Sequence, residues 1–522
     1  MRRTLVHRRV QQEPRARSVT VSNSSLTRTK SVEQSIRDTE EPEHQLKKNL
    51  GALDLVIFGV GVIIGAGIFI FTGQVAASSA GPAVSVSFLI AGVACALAAL
   101  CYAELASTVP VAGSAYTFSY ATFGELVAWT IGWDLVLEFT VGSAALASGF
   151  SGYLATLLDG TAFELPASLS SAATGYVDIP AMMIALLVMG ILIAGIRFSS
   201  LFNQVVVAIK LTVVAIVIVA GIGYITADNY SPFIPPSEPS GDSGAAGFMQ
   251  SPLISTLLGL DPAVYGVAGV ISGASIVFFA FIGFDVVATT AEETRNPQRD
   301  VPIGILGSLA IVTVLYVAVS LVITGMQDYR DIDPLDAAPL ATAFDAVGVS
   351  WIGNVISVGA CIGLTVVVMI LMLGQTRVAF AMARDGLLPT SLATVHPKYG
   401  TPYRITLITG VAVALIAGFV DLTTLSTLVN IGTLFAFVLV SIGVVLLRRS
   451  RPDLPRAFRV PAAPVVAVLA SVSCIYLMLN LSGETWIRFV VWMALGFVVY
   501  FLYGRSHSRV GRSADAERTP AA

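Results

Sequence analysis

The chain has 522 residues, of which 55% are hydrophobic and 12% charged, with a mean hydropathy of +0.81 and a formal net charge of −3. So apolar a composition excludes an ordinary soluble globule and points to a polytopic membrane protein. The charges are segregated by loop and not pooled on a face, which excludes a nucleic-acid partner.

Residues 1–50 are basic, polar and rich in Ser and Thr, with no apolar core before Leu53, so they read as a disordered cytoplasmic tail and not as a cleavable signal. The first apolar run, Leu53 to Phe71 (LDLVIFGVGVIIGAGIFIF), is long enough to cross a bilayer but carries Gly59, Gly61, Gly65 and Gly67. Each glycine costs a helix interior roughly 1 kcal/mol relative to alanine, so a plain anchor would not be built this way. A broken helix at membrane depth offers unpaired N–H and C=O groups as a site for a small zwitterion, provided protein or a water-filled cavity covers them. Close helix packing is the alternative use of such small residues.

Twelve apolar runs of spanning length follow one another, at 53–75, 83–105, 123–150, 179–196, 203–226, 264–290, 302–326, 347–374, 403–420, 424–447, 461–481 and 485–503. Basic residues concentrate in the N-terminal tail, in the 295–299, 375–402 and 448–460 loops and after Tyr503, while the alternate connections hold Asp and Glu with Arg330 alone among the basic residues. The positive-inside rule then places both termini in the cytoplasm, and an even number of spans agrees. The expected organisation is a tail over 1–50, a transporter domain over 51–505 and a second cytoplasmic tail over 506–522.

The third span holds Asp134 and Glu138, four apart and hence on one helix face; Glu138 reads equally well as a functional group and as a structural hydrogen-bonding one. Lys210 stands alone in VVVAIKLTVVAIVIVAG of the fifth span. A cation at that depth costs at least ~2.5 kcal/mol, so it faces protein or water and marks a functional position, the alternative being a side chain that snorkels to the interface. The sixth span contains FFAFIGFD, a second glycine-interrupted run five spans after the first. A repeat of five helices inserts in opposite orientation, so spans 1–5 and 6–10 would form inverted repeats with facing broken helices, leaving spans 11 and 12 accessory. The four cysteines lie in apolar spans without CxxC spacing and the four histidines in polar segments, and no lysine follows a glycine. No metal, cofactor, catalytic constellation or ATP is therefore expected.

The runs GVGVIIGAGIF, AGPA, CYAELASTVPVAGSAYTFSYATFGEL, GWDLVLEF, FFAFIGFD, EETRNPQRDVPIGI, GQTR and RDGLLP occur in this order between Gly51 and about Arg505. Together they resemble the amino acid, polyamine and organocation superfamily, specifically its cationic amino acid transporter branch and bacterial homologues. The resemblance implies an all-α, LeuT-like fold of twelve transmembrane helices with helices 1 and 6 broken, and alternating-access uptake of L-amino acids across the plasma membrane. Ile63, Ile64, Gly65, Ala66 and Gly67 would then receive the substrate carboxylate, and Phe278, Phe279, Ala280, Phe281 and Ile282 the ammonium and an aromatic lid. Lys210 would stand where sodium-coupled relatives of the fold hold their ion, which makes the proton the coupling partner. Glu138 would lie by the pocket. Leu371, placed by its distance from GQTR, would close the side-chain end with an apolar group that gives a guanidinium nothing to pair with. Neutral amino acids are the resulting expectation, with a cationic carrier or an exchanger as alternatives and a channel or nutrient receptor behind them. Glu292, Glu293, Arg295, Arg299, Arg384 and Asp385 would sit at the cytoplasmic mouth, either as an inner gate or as a solvated loop with weak surface pairs.

Overall fold

The computed structural model describes residues 49–511 except 110–113, 172, 174, 196–199, 240–244 and 261–262. The expected tails thus lie almost wholly outside the described residues. The remainder is all-helical apart from one two-residue strand pair, Glu238–Pro239 with Ala263–Val264. Among the described residues, eight helical stretches are long and apolar enough to cross a membrane, and four shorter apolar helices, Ala52–Ile63, Ile179–Ile193, Tyr403–Phe419 and Ala463–Leu479, accompany them.

The principal helices are α1 (Ala52–Ile63), α2 (Val84–Thr108), α3 (Ser114–Thr122), α4 (Glu125–Leu158), α5 (Ile179–Ile193), α6 (Ser200–Gly221), α7 (Gly266–Val277), α8 (Phe284–Thr289), α9 (Pro297–Met326), α10 (Pro339–Ala346), α11 (Ser350–Arg384), α12 (Tyr403–Phe419), α13 (Leu422–Ser450), α14 (Ala463–Leu479) and α15 (Gly483–Val499). Their ends follow local chemistry. Asp178 and Asp421 accept from the third amide of α5 and α13, at 3.0 and 2.8 Å, and so satisfy orphan N-terminal donors. Large apolar side chains such as Met183, Val219, Val314 and Leu502 face outward, as the lipid-facing belt of a membrane protein requires.

The helices fall into two groups, which meet where α13 packs on α2 and α7. α9 lies along α1 and α2 and also touches α8, while α7 also packs on α2; α4 lies along α11, α13, α12 and α5. α6 touches members of both groups, namely α1, α9 and α11. A buried ion cluster fixes α2 to the end of α13: Glu104 accepts from Arg448 Nε at 2.7 Å and from the Val460 amide at 2.7 Å, with Arg456 Nε 3.5 Å away. At the start of α4, the buried Glu125 accepts from the hydroxyls of Tyr120, Tyr500 and Ser508, which ties the end of the described chain to α3 and α4.

Candidate functional site

Both glycine-interrupted runs are broken, and the breaks touch. α1 stops at Ile63; Ile64 turns to an extended backbone (φ −69°, ψ 93°), and helix resumes in a wider π-helical turn over Gly67–Phe71. α7 narrows into a 3-10 turn, Phe278–Phe281, after which Ile282 is extended and Gly283 takes φ +117°, a conformation that favours glycine, before α8 begins. A β-carbon on Gly67 would lie 2.1 Å from Ala280 Cα, so the two breaks meet backbone to backbone, and one on Gly283 would lie 2.8 Å from Val62. Gly59 and Gly61 serve a different purpose: β-carbons there would strike Ser308 and Val207, the close packing that small residues allow.

A helix that ends at membrane depth leaves its last carbonyls without partners, and each must be satisfied. Ile64 N–H donates to Val60 O at 3.0 Å. Lys210, on α6 and 1% exposed, reaches the break with its ammonium and donates to Gly61 O at 2.7 Å and Ile64 O at 2.9 Å. The negative end of a helix dipole favours a cation in that place. Gly363 of α11 leaves room for the lysine stem, since a β-carbon there would lie 2.7 Å from Lys210 Cε. Tyr316 of α9 places its hydroxyl 2.8 Å from both Ile63 O and Ala280 O, one carbonyl from each break. Asn430 of α13 donates to Ser275 O and Ile276 O at 2.8 and 3.0 Å, and Tyr153 of α4 donates to Phe69 O at 2.6 Å.

Between the breaks lies a cavity with about 320 Å³ of unfilled space, counting the part open to the outside. Its wall is formed by Ile63, Gly65, Ala66, Gly67, Phe279, Ile282 and Leu371 among the residues expected from the sequence, and by Val62, Gly142, Leu146, Val367 and Val429, which sequence reasoning missed. No lining residue carries a charge. Phe279 meets Phe71 edge to face at 5.3 Å. The other expected residues lie outside the lining: Ile64 turns its carbonyl to Lys210, Phe278 packs on Phe437, Ala280 supports Gly67, and Phe281 packs on Phe88 and Tyr316. Glu138 is buried a turn before Gly142; its Oε1, both Asp134 carboxylate oxygens and Asp285 Oδ1 have no hydrogen-bond partner among the described residues. Among the described residues no group of His, Cys, Asp and Glu could hold a metal ion.

Among the described residues, the charges expected at the mouth meet several different partners. Glu293 approaches Arg377 at 3.8 Å, a half-exposed pair of small energetic weight. Its carbonyl also accepts from the amides of Asn49 and Leu50. Arg295, Arg299 and Arg384 are exposed, Asp385 accepts from Tyr116 at 2.7 Å, and the Glu292 side chain lies outside what is described.

Compared with known proteins, residues 50–501 match the family model described as amino acid permease. The chain is 44% identical over 493 residues to the methylthioribose transporter of Bacillus subtilis, covering 94% of this chain and 100% of the relative. It is 43% identical over 495 residues to the branched-chain amino acid permease BcaP of the same organism, covering 94% and 99%. With the vacuolar cationic amino acid transporter 4 of Arabidopsis thaliana it shares 39% over 434 residues, covering 82% and 68%.

Proposed function

Because this chain belongs to the amino acid permease family, we propose that it is a secondary active transporter that imports neutral, apolar L-amino acids with a proton, by alternating access through twelve spans arranged as inverted repeats. The observation that carries this reading is the pair of touching breaks, with an apolar-walled cavity between them. The amides of Gly65, Ala66 and Gly67 suit a carboxylate, and the carbonyls that end the 3-10 turn suit an ammonium. Val367, Leu371, Val429 and Leu146 offer the side chain hydrocarbon and no counter-charge, which disfavours a guanidinium. The branched-chain substrate named for the BcaP relative fits the same wall. Lys210 occupies, with its ammonium on two carbonyls, the kind of place an ion would take, and is the proposed proton-coupling group. The basic loops favour cytoplasmic termini, and nutrient uptake favours a plasma-membrane location.

A second reading, import of a neutral thio-sugar, is favoured by the 44% identity to the methylthioribose transporter. One assay decides between them: uptake of labelled leucine, alanine, arginine and methylthioribose into proteoliposomes, with and without an inward proton gradient, for the parent and Lys210→Ala. Leucine or alanine uptake raised by the gradient, with that response gone in Lys210→Ala, is expected. Gradient-independent uptake would move the assignment to an exchanger, arginine uptake alone would overturn the Leu371 reading, and methylthioribose uptake alone would select the second reading.

A further inference from the structure

The carbonyls of the two breaks are satisfied from four directions, and one of these contacts differs in kind. Lys210, Asn430 and Tyr153 each reach one broken segment, from α6, α13 and α4 respectively. Tyr316 reaches both. Its hydroxyl lies 2.8 Å from Ile63 O and 2.8 Å from Ala280 O, is fully buried, and has a single proton, so it donates to one break at a time and keeps the other carbonyl within the same reach. The ring packs between Phe88 at 5.4 Å and Phe281 at 5.3 Å between centroids, and the hydroxyl is held at its far end by the two carbonyls. α9 also belongs to the helix group that contains α1 and α8, so this contact lies inside one packed body.

We propose that Tyr316 is a positioning residue for the cavity: a clamp that holds the two unwound segments at fixed separation, so that the amide half and the carbonyl half of the site move as one piece. It touches no cavity space itself, and acts through the backbone of Ile63 and Ala280. The inference rests on the transporter reading for its purpose, but the clamp is a property of the fold and can be examined without transport. Removing the hydroxyl as Tyr316→Phe keeps the ring packing and leaves two buried carbonyls short of a donor.

The experiment uses the full-length protein in proteoliposomes, as parent, Tyr316→Phe and Phe88→Leu, the last disturbing the ring packing while keeping the hydroxyl. Hydrogen exchange is followed in peptides spanning residues 62–68 and 278–284, together with the KM and maximal rate of leucine uptake. In Tyr316→Phe both peptides are expected to exchange about tenfold faster and KM to rise about tenfold, with the maximal rate changed far less. Phe88→Leu is expected to affect neither measurement by more than about twofold. Faster exchange at only one segment, at neither, or equally in Phe88→Leu would overturn the clamp. Faster exchange at both with an unchanged KM would overturn its service to the site. If the parent takes up no leucine, the transport reading fails and the exchange data alone decide the clamp.

Discussion

The tightest demand in the structure falls on Gly67. A β-carbon placed there would lie 2.1 Å from Cα, 2.3 Å from Cβ and 2.9 Å from the amide nitrogen of Ala280, inside the 3.0 Å that real β-carbons keep. The obstacle is backbone, so no rotamer change can relieve it; the two breaks must separate, and both line or support the cavity. Overpacking of this kind costs about 1–3 kcal/mol, and at 1.4 kcal/mol per tenfold a cost borne by the bound state raises KM roughly 5- to 140-fold. Gly67→Ala is expected to show that rise in leucine uptake by proteoliposomes. Ala280→Gly in the same molecule removes one of the clashing atoms and is expected to recover part of the loss, giving a favourable coupling in the double-mutant cycle. Gly65→Ala serves as the contrast, because its nearest obstacle is the mobile end of Leu146 at 3.1 Å, and its KM is expected to change by less than about threefold. A Gly67→Ala protein whose KM matches the parent's would refute the claim that touching breaks form the site.

Leu371→Ala lengthens the side-chain end of the cavity, and the leucine-to-phenylalanine preference is expected to shift toward phenylalanine by about tenfold in competition assays; an unchanged ratio would remove Leu371 from that end. Arg448→Ala leaves Glu104 buried with only Arg456 and the Val460 amide, which is expected to cost about 3 kcal/mol and lower the melting midpoint in detergent. Arg448→Lys should not restore it, since two guanidinium nitrogens meet the two carboxylate oxygens. Burial pushes Asp178, at the N-terminal cap of α5, from its ordinary 3.8 up to about 7. A raised carboxyl pKa means that the folded state holds the proton more tightly, so the stability it contributes is whole below 3.8 and is lost as the pH rises through 7. Asp178→Asn can keep the cap on Ala181 without ionising, so its melting midpoint is expected to pull ahead of the parent's across that interval and run parallel above it; a constant difference at all pH values would count against the buried carboxylate.

What the sequence disclosed about the site, and what it withheld, divides by the cost of each group in a membrane. Glycines in a spanning run and a lone lysine are expensive there, so the breaks near Gly65 and Gly283 could be read directly, as could the expectation that Lys210 faces protein and not lipid. Tyr316 and Asn430 are the same kind of signal at lower cost, since a phenol or an amide in an apolar run also needs a partner, but neither is rare enough to stand out. The apolar wall was harder. Gly142 and Leu146 continue the four-residue stripe that begins with Asp134 and Glu138, and Gly363, Val367 and Leu371 form a second such stripe on α11, yet nothing in an apolar side chain says whether it faces a cavity, a neighbour or lipid.

The charged mouth is the opposite case. Opposite charges close in sequence invite an ion-pair network, but Arg295, Arg299 and Arg384 are exposed, and water competes with any partner there. Among the described residues, the fold buries and pairs Glu104 with Arg448 and Arg456, separated by more than three hundred residues, where α2 meets the end of α13. Sequence proximity predicts a pair only where the local helix brings the groups onto one face; across a polytopic bundle, the desolvated pairs are set by which helix ends meet. The same reasoning explains why the ties to the two breaks come from α4, α6, α9 and α13, far apart in the chain. A carbonyl freed at membrane depth is satisfied by whichever packed neighbour can carry a donor to it, and packing, not sequence order, decides which neighbour that is.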